Sequence, residues 1–204
     1  MASPARSLDD PRTHLRALGG TLLVVVLVVL LAAVFVSLGY PLLDAAGIAR
    51  ESALGLALRS AFQFVGFGVA GVGYLVATDQ TELVTVRTPT REDAKWLAGG
   101  FVALLALYLG VTSLLSVFGI EGAESAIVQQ GSDQPIYFLY LVPVTIFLVG
   151  PTEELIFRGV VQGLFRRAYG PAVAVAGASA VFAAVHVTSY SGQGLLATLA
   201  TVLV

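Results

Sequence analysis

Cysteine is absent from all 204 residues, which excludes disulfides, thiolate metal sites and a cysteine nucleophile. Charge is scarce as well: Asp, Glu, Lys and Arg make up 12% of the chain, against about 25% in soluble domains. A net charge of −2 gives no electrostatic footprint for nucleic acid. Histidine occurs only at His14 and His186, and lysine only at Lys95, against ten arginines. One Lys against ten Arg, with many Ala, Val and Gly, suggests a GC-rich genome, and the acidic, lysine-poor loops suit a halophilic archaeon.

What fills the chain instead is apolar: 57% of it is hydrophobic. Between the charges lie long neutral windows. Residues 17–49 hold only Asp44, and 60–78, 96–120, 134–152 and 168–185 hold no charge at all. Each window is about the length a helix needs to cross a hydrocarbon core. The pattern predicts spans near 21–38, 60–77, 97–118, 136–157 and 171–187, with a further apolar run from 194. The expected fold is an all-α polytopic transmembrane helix bundle, with about five full spans plus an incomplete sixth. Residues 1–20 read as a cytoplasmic N-terminal tail carrying an exposed His14, and 21–204 as a single transmembrane domain, C-terminally truncated or degenerate. The first run, Thr21 to Leu38, is longer than the apolar core of a secretory signal, and no small-x-small cleavage pattern follows it. It reads as a retained span. Gly39-Tyr40-Pro41 and Gly170-Pro171 are expected to mark span ends. No internal repeat is evident.

Basic residues alternate by segment. Arg6, Arg12 and Arg16 precede the first span, Arg87, Arg91 and Lys95 lie in the second connection, and Arg158, Arg166 and Arg167 follow the fourth span. Only Arg50 and Arg59 fall on the other side. The positive-inside rule therefore predicts a cytoplasmic N-terminus, with the end of the fourth span at the same face of the cell membrane.

One stretch breaks the apolar pattern: Pro151-Thr152-Glu153-Glu154-Leu155-Ile156-Phe157-Arg158-Gly159, directly after the neutral window 134–152. An ionisable side chain at membrane depth costs about 2.5–3.5 kcal/mol even on insertion scales, so it marks a functional site by default. On a helix, Glu154 and Arg158 stand four apart on one face, the acid N-terminal to the base, and can pair. Glu153 points about 100° away from Glu154 and can face a water-filled cavity. One acid is thus expected to be structural and the other available as a general base. A cluster that snorkels at the interface is the plainer alternative. Pro143 and Pro151 should interrupt the backbone ladder of the same helix. Gly159 and Gly163 should let another helix approach closely, and Phe157, Leu164 and Phe165 read as packing residues.

His186 closes the fifth span, in Phe182-Ala183-Ala184-Val185-His186. Alone it would read as an interhelical hydrogen-bonder; beside a carboxylate it becomes a candidate metal ligand or oxyanion donor. Ser179 lies about 10.5 Å from it along a helix axis, too far for a serine–histidine dyad. There is no His-Glu-x-x-His zinc motif.

Glu153-Glu154-x-x-x-Arg158-Gly159 followed by Phe182-x-x-x-His186 resembles the CPBP intramembrane protease family, which includes the type II CAAX prenyl endopeptidases. The resemblance covers about residues 150–186. It implies a helical membrane protease in which Glu153 activates the attacking water, Glu154 and Arg158 order the site, and His186 binds the oxyanion or a metal. The implied substrate is a peptide or membrane protein in the lipid bilayer. The implied cofactor is Zn2+ held by Glu153 and His186, or none, if glutamate and histidine act without metal. The family's further His-x-x-x-Asn/Asp motif on a later helix does not follow His186 in these 204 residues. A non-catalytic scaffold or immunity-type member, or a transporter using the membrane carboxylate, are the readings from other classes.

Overall fold

The computed structural model describes residues 11–119, 123–191 and 198. The apolar run from 194 lies, apart from Thr198, outside the described residues, as do Arg6 and the first ten positions. Between residues 11 and 191 six helices are described: α1 (Pro11–Ala45), α2 (Ala53–Ala77), α3 (Arg91–Val117), α4 (Ala126–Asp133), α5 (Ile136–Tyr169) and α6 (Pro171–His186). Four of them, α1, α2, α3 and α5, are long and apolar enough to cross a membrane. The predicted fifth span is the 16-residue α6, about 24 Å long and so shorter than a hydrocarbon core. It ends in a 3-10 turn, Val187–Ser189.

α1 begins well before the predicted span and takes in part of the expected tail. Pro11 is suited to a first helical position, where the missing N–H costs nothing. The helix has 35 residues, about 52 Å, so its polar first turns can extend beyond the hydrocarbon. His14 is consequently a helical, half-buried residue whose ring lies 5.2 Å from that of Tyr169, not part of a solvated tail. Pro41 does not end the helix either: α1 runs through it to Ala45, giving up the bond to the carbonyl four residues back. Asp44 then pairs with Arg50, whose guanidinium also sits 4.5 Å from the centre of the Tyr40 ring, and this closes the turn into α2.

Helix starts follow local chemistry. Ser52 caps α2 by accepting from the Gly55 N–H at 3.1 Å. Thr90 and Asp93 form a reciprocal capping box at the start of α3, and Arg87 grips the Asp93 carboxylate with two nitrogens. Among the described residues the one sheet element is a two-residue antiparallel clip between Glu124–Ser125 and Tyr190–Ser191.

The chain divides into two compact units, residues 1–85 with 131–179, and 86–130 with 180–204. The first contains α1, α2 and α5. Ala17, Val24, Val28, Ala32 and Leu43 are buried along one face of α1, at successive spacings of seven, four, four and eleven residues. Against that face lies Gly66 of α2, where an added Cβ would stand 2.6 Å from the Leu31 carbonyl oxygen. With Ala70 it makes a small-xxx-small contact that brings two backbones together. Ala53, Leu56 and Ala57 of α2 enclose Tyr137 and Leu141 of α5 in a buried cluster. Outward faces remain apolar, Leu22, Leu30 and Leu38 among them, as a lipid-facing surface requires. The second unit contains α3, the first five residues of α4, the strand clip and the end of α6, and none of the 27 residues of α3 is buried.

Candidate active site

α5 is one 34-residue helical rod with two interruptions, not a span ending near residue 157. It stops at Gly170, whose φ of 83° is open to glycine and whose successor is Pro171. Glu153 and Glu154 therefore sit near the middle of the rod. Each interruption follows a proline. Pro143 and Pro151 deprive the carbonyls four residues back of a donor, and the backbone widens into π-helix at Thr145–Val149 and Glu154–Val161. The Gly150 N–H reaches five residues back to the Thr145 carbonyl, and the Gln162 N–H likewise reaches Phe157. Thr152 adds its hydroxyl to the Leu148 carbonyl at 2.7 Å.

Packing decides which side of α5 carries the acids. Thr152, Leu155 and Ile156 lie against Gly68 and Gly71 of α2, where the absent side chains leave a bed. Ile156, Phe157, Val160, Val161, Leu164 and Phe165 are buried, so the three residues expected to pack do so. Glu153 ends the short α-helical stretch Gly150–Glu153 and is half-buried; Glu154 opens the second π segment and is exposed. Arg158 Nη1 donates to Glu154 Oε2, as the four-residue spacing anticipates.

Among the described residues no helix packs on Gly159 or Gly163. What approaches them is the connection after α2, through Val84 at Gly159 and Leu83 at Gly163, each 2.8 Å from where a Cβ would stand. A 3-10 turn, Thr81–Leu83, shapes this strap, and Arg167 ties it down through Glu82 at 2.8 Å. The Glu82 carboxyl lies below its ordinary range, held first by its own backbone N–H and then by Arg167. The strap was not legible in the sequence, because it rests on contacts about eighty residues apart.

His186 is the last residue of α6. Its Nδ1 lies 2.8 Å from the Phe182 carbonyl oxygen, which can only accept, so Nδ1 carries a proton and, in a neutral ring, Nε2 is the accepting nitrogen. The same phenylalanine stacks on the imidazole, centroids 4.0 Å apart and planes 26° apart. The Phe-x-x-x-His spacing thus fixes both the plane and the tautomer of the histidine. Glu153, Glu154 and Arg158 belong to the first unit and His186 to the second.

A zinc site normally takes three protein donors and keeps one position open. Among the described residues no group of three or more His, Cys, Asp or Glu side chains is placed to hold a metal. Glu154 is moreover engaged by Arg158. The described donors do not by themselves complete a zinc site.

Residues 135–204 match the family described as type II CAAX prenyl endopeptidase Rce1-like, a match that takes in α5, α6 and the pieces of sequence quoted above and leaves α1 to α4 outside it. No curated protein and no solved structure matches the chain.

Proposed function

With an Rce1-like segment at residues 135–204 as the premise, we propose that the chain is an intramembrane endopeptidase in which Glu153 is the general base. The observation that carries this reading is the division of labour between two adjacent acids. Glu154 is committed to Arg158, whereas Glu153, one residue earlier, lies on another side of an interrupted helix and is half-buried at mid-rod. Backbone widening of this kind is rare and recurs at functional sites.

The proposed reaction uses protein groups alone. Glu153 takes a proton from water, and the hydroxide attacks the scissile carbonyl carbon. His186, protonated on both nitrogens, donates from Nε2 to the developing oxyanion, the role that the resemblance assigns it. Glu153 then returns the proton to the leaving nitrogen as the C–N bond breaks, giving a carboxylic acid and an amine, between which a proton then passes to leave carboxylate and ammonium. Glu154 and Arg158 are positioning residues. The substrate class is a peptide at the membrane, prenylated or not.

The test is cleavage of candidate peptides, prenylated and unprenylated, by membranes containing the chain and any residues that follow Val204 in its gene. Glu153→Gln should lower the rate about 10²–10⁴-fold, the usual worth of a positioned base. His186→Ala should lower it on the order of 10²-fold, as for one oxyanion donor. Cleavage that survives both changes sinks the mechanism. Glu154→Gln should cost more stability than Glu153→Gln, and the reverse ranking would exchange the roles of the two acids.

A further inference from the structure

α5 lacks side chains of its own where its second widened turn ends. Gly159 lies inside the π segment Glu154–Val161, and Gly163 follows in the α-helical stretch Gln162–Tyr169. Glycine within a helix loosens the backbone and offers a neighbour nothing to pack on. Here the missing bulk comes from the strap. Val84 Cγ2 and Leu83 Cδ2 stand 2.8 Å from where a Cβ of Gly159 and of Gly163, respectively, would be, and both side chains are half-buried. The π segment that Val84 wedges is the one that carries Glu154 and Arg158.

What keeps the wedge in place is polar and wet. Arg167 donates to Glu82 at 2.8 Å and to Gln80 Oε1 at 3.4 Å. Gln80 Nε2 is in turn set against the Tyr74 and Thr78 oxygens, at 3.3 and 3.0 Å. The Arg167 and Glu82 side chains stay 35% and 60% exposed, so water and salt screen their attraction. Beyond the 3-10 turn, residues 84–89 form neither helix nor strand. A segment seated by two half-buried side chains and tied through exposed polar groups belongs to the low-stability end of a fold, where local opening precedes global unfolding.

We propose that the strap is a latch on α5. Seated, Val84 and Leu83 hold the widened turn in the register in which Glu154 and Arg158 order the site; lifted, they release it. This latch presupposes Glu153 as the general base and adds a second condition for cleavage.

The test uses the purified full chain, which has no native thiol. Seating is read by the rate at which Val84→Cys reacts with a maleimide. In that background Glu82→Arg or Arg167→Glu should speed the reaction on the order of tenfold, for a lost exposed attraction and a repulsion of like size. Both changes together restore opposite charges and should return the slow rate. Reactivity indifferent to these charges overturns the latch, and this readout needs no enzymatic activity.

Cleavage supplies the second measurement. Val84→Gly should lower kcat by up to about 10²-fold at nearly constant KM, as an ångström of misplacement can. Val84→Ile, which keeps a methyl against Gly159, should retain the parent rate. Val84→Cys with Gly159→Cys sets two Cβ atoms about 4.0 Å apart, within disulfide range. Oxidised, that variant should cleave at least as fast as when reduced. An unchanged kcat in Val84→Gly overturns the proposal. So does an oxidised form that is inactive and recovers on reduction, since the strap would then be a lid that has to lift. If Val84→Gly fails to fold, the disulfide pair still decides. Glu153→Gln, assayed beside them, judges the base alone: cleavage that survives it but is lost in Val84→Gly refutes the base and leaves the latch standing.

Discussion

Glu153 and Glu154 share a chemistry and differ in what their neighbours demand of them. The pairing of Glu154 with Arg158 needs only a helical spacing of four, so it was legible in the sequence. The half-burial of Glu153 was not, because it depends on how α5 rolls onto the glycine bed of α2. His186 shows the same split. Its bond to the Phe182 carbonyl and its stacking on that ring are contacts within one helical turn. Glu82, by contrast, carried no signal in its own stretch of chain; its meaning comes from Arg167. A carboxyl whose folded pKa lies below its ordinary value of 4.5 contributes stability that is fully present above that value and lost as pH falls through the lower folded one. The melting-temperature advantage of the protein over its Glu82→Gln variant should therefore hold at neutral pH and shrink toward zero in acid below about 4.5. An advantage that stays constant throughout the acid titration would mean that Glu82 acts by packing, not by charge.

At the scale of elements, apolar windows located the four long helices but misplaced their ends. α1 starts early and passes through Pro41, and α5 runs on past Arg158 to Tyr169. Window reading assumes that a helix ends where the hydrocarbon does, and these two continue beyond it. The prolines of α5 were correctly read as interruptions, since a missing N–H is a local fact; that the backbone would answer by widening was set by its packing. The contact between α1 and α2 is the tightest test of helix pairing. Gly66→Ala places a methyl 2.6 Å from a backbone oxygen that has no rotamer to yield. The substitution should destabilise the protein by about 1–3 kcal/mol, the usual cost of overpacking. Thermal unfolding in detergent measures it, and Gly73→Ala on the same helix, with nothing within 4 Å of its added methyl, is the control. Equal losses for the two would remove the close backbone approach as the reason for the glycine.

For the whole molecule, the basic residues state an orientation. Positive charge on the N-terminal side and in the connection before α3, against only Arg50 between α1 and α2 and Arg59 in the first turns of α2, predicts that residue 88 faces the cytoplasm and residue 51 the exterior. The absence of cysteine makes this directly measurable with single introduced thiols. In intact cells Glu51→Cys should react with a membrane-impermeant maleimide, and Thr88→Cys only after permeabilisation. The opposite pattern would invert the chain and place its N-terminal side outside.

What the sequence determined by itself is whatever spans a turn or two of chain. Membrane character follows from long neutral windows, the Thr90–Asp93 cap from a three-residue spacing, and the Glu154–Arg158 and Phe182–His186 pairs from a four-residue one. The family resemblance also rests on such short spacings. Tertiary structure alone decided that Val84 and Leu83 fill the space beside Gly159 and Gly163 respectively, and that Arg16, Tyr74 and Arg167 line one cleft. The reason is physical. Local periodicity encodes which face a residue occupies on its own helix, but the rotation of one helix against another is fixed only when their small and large side chains interlock.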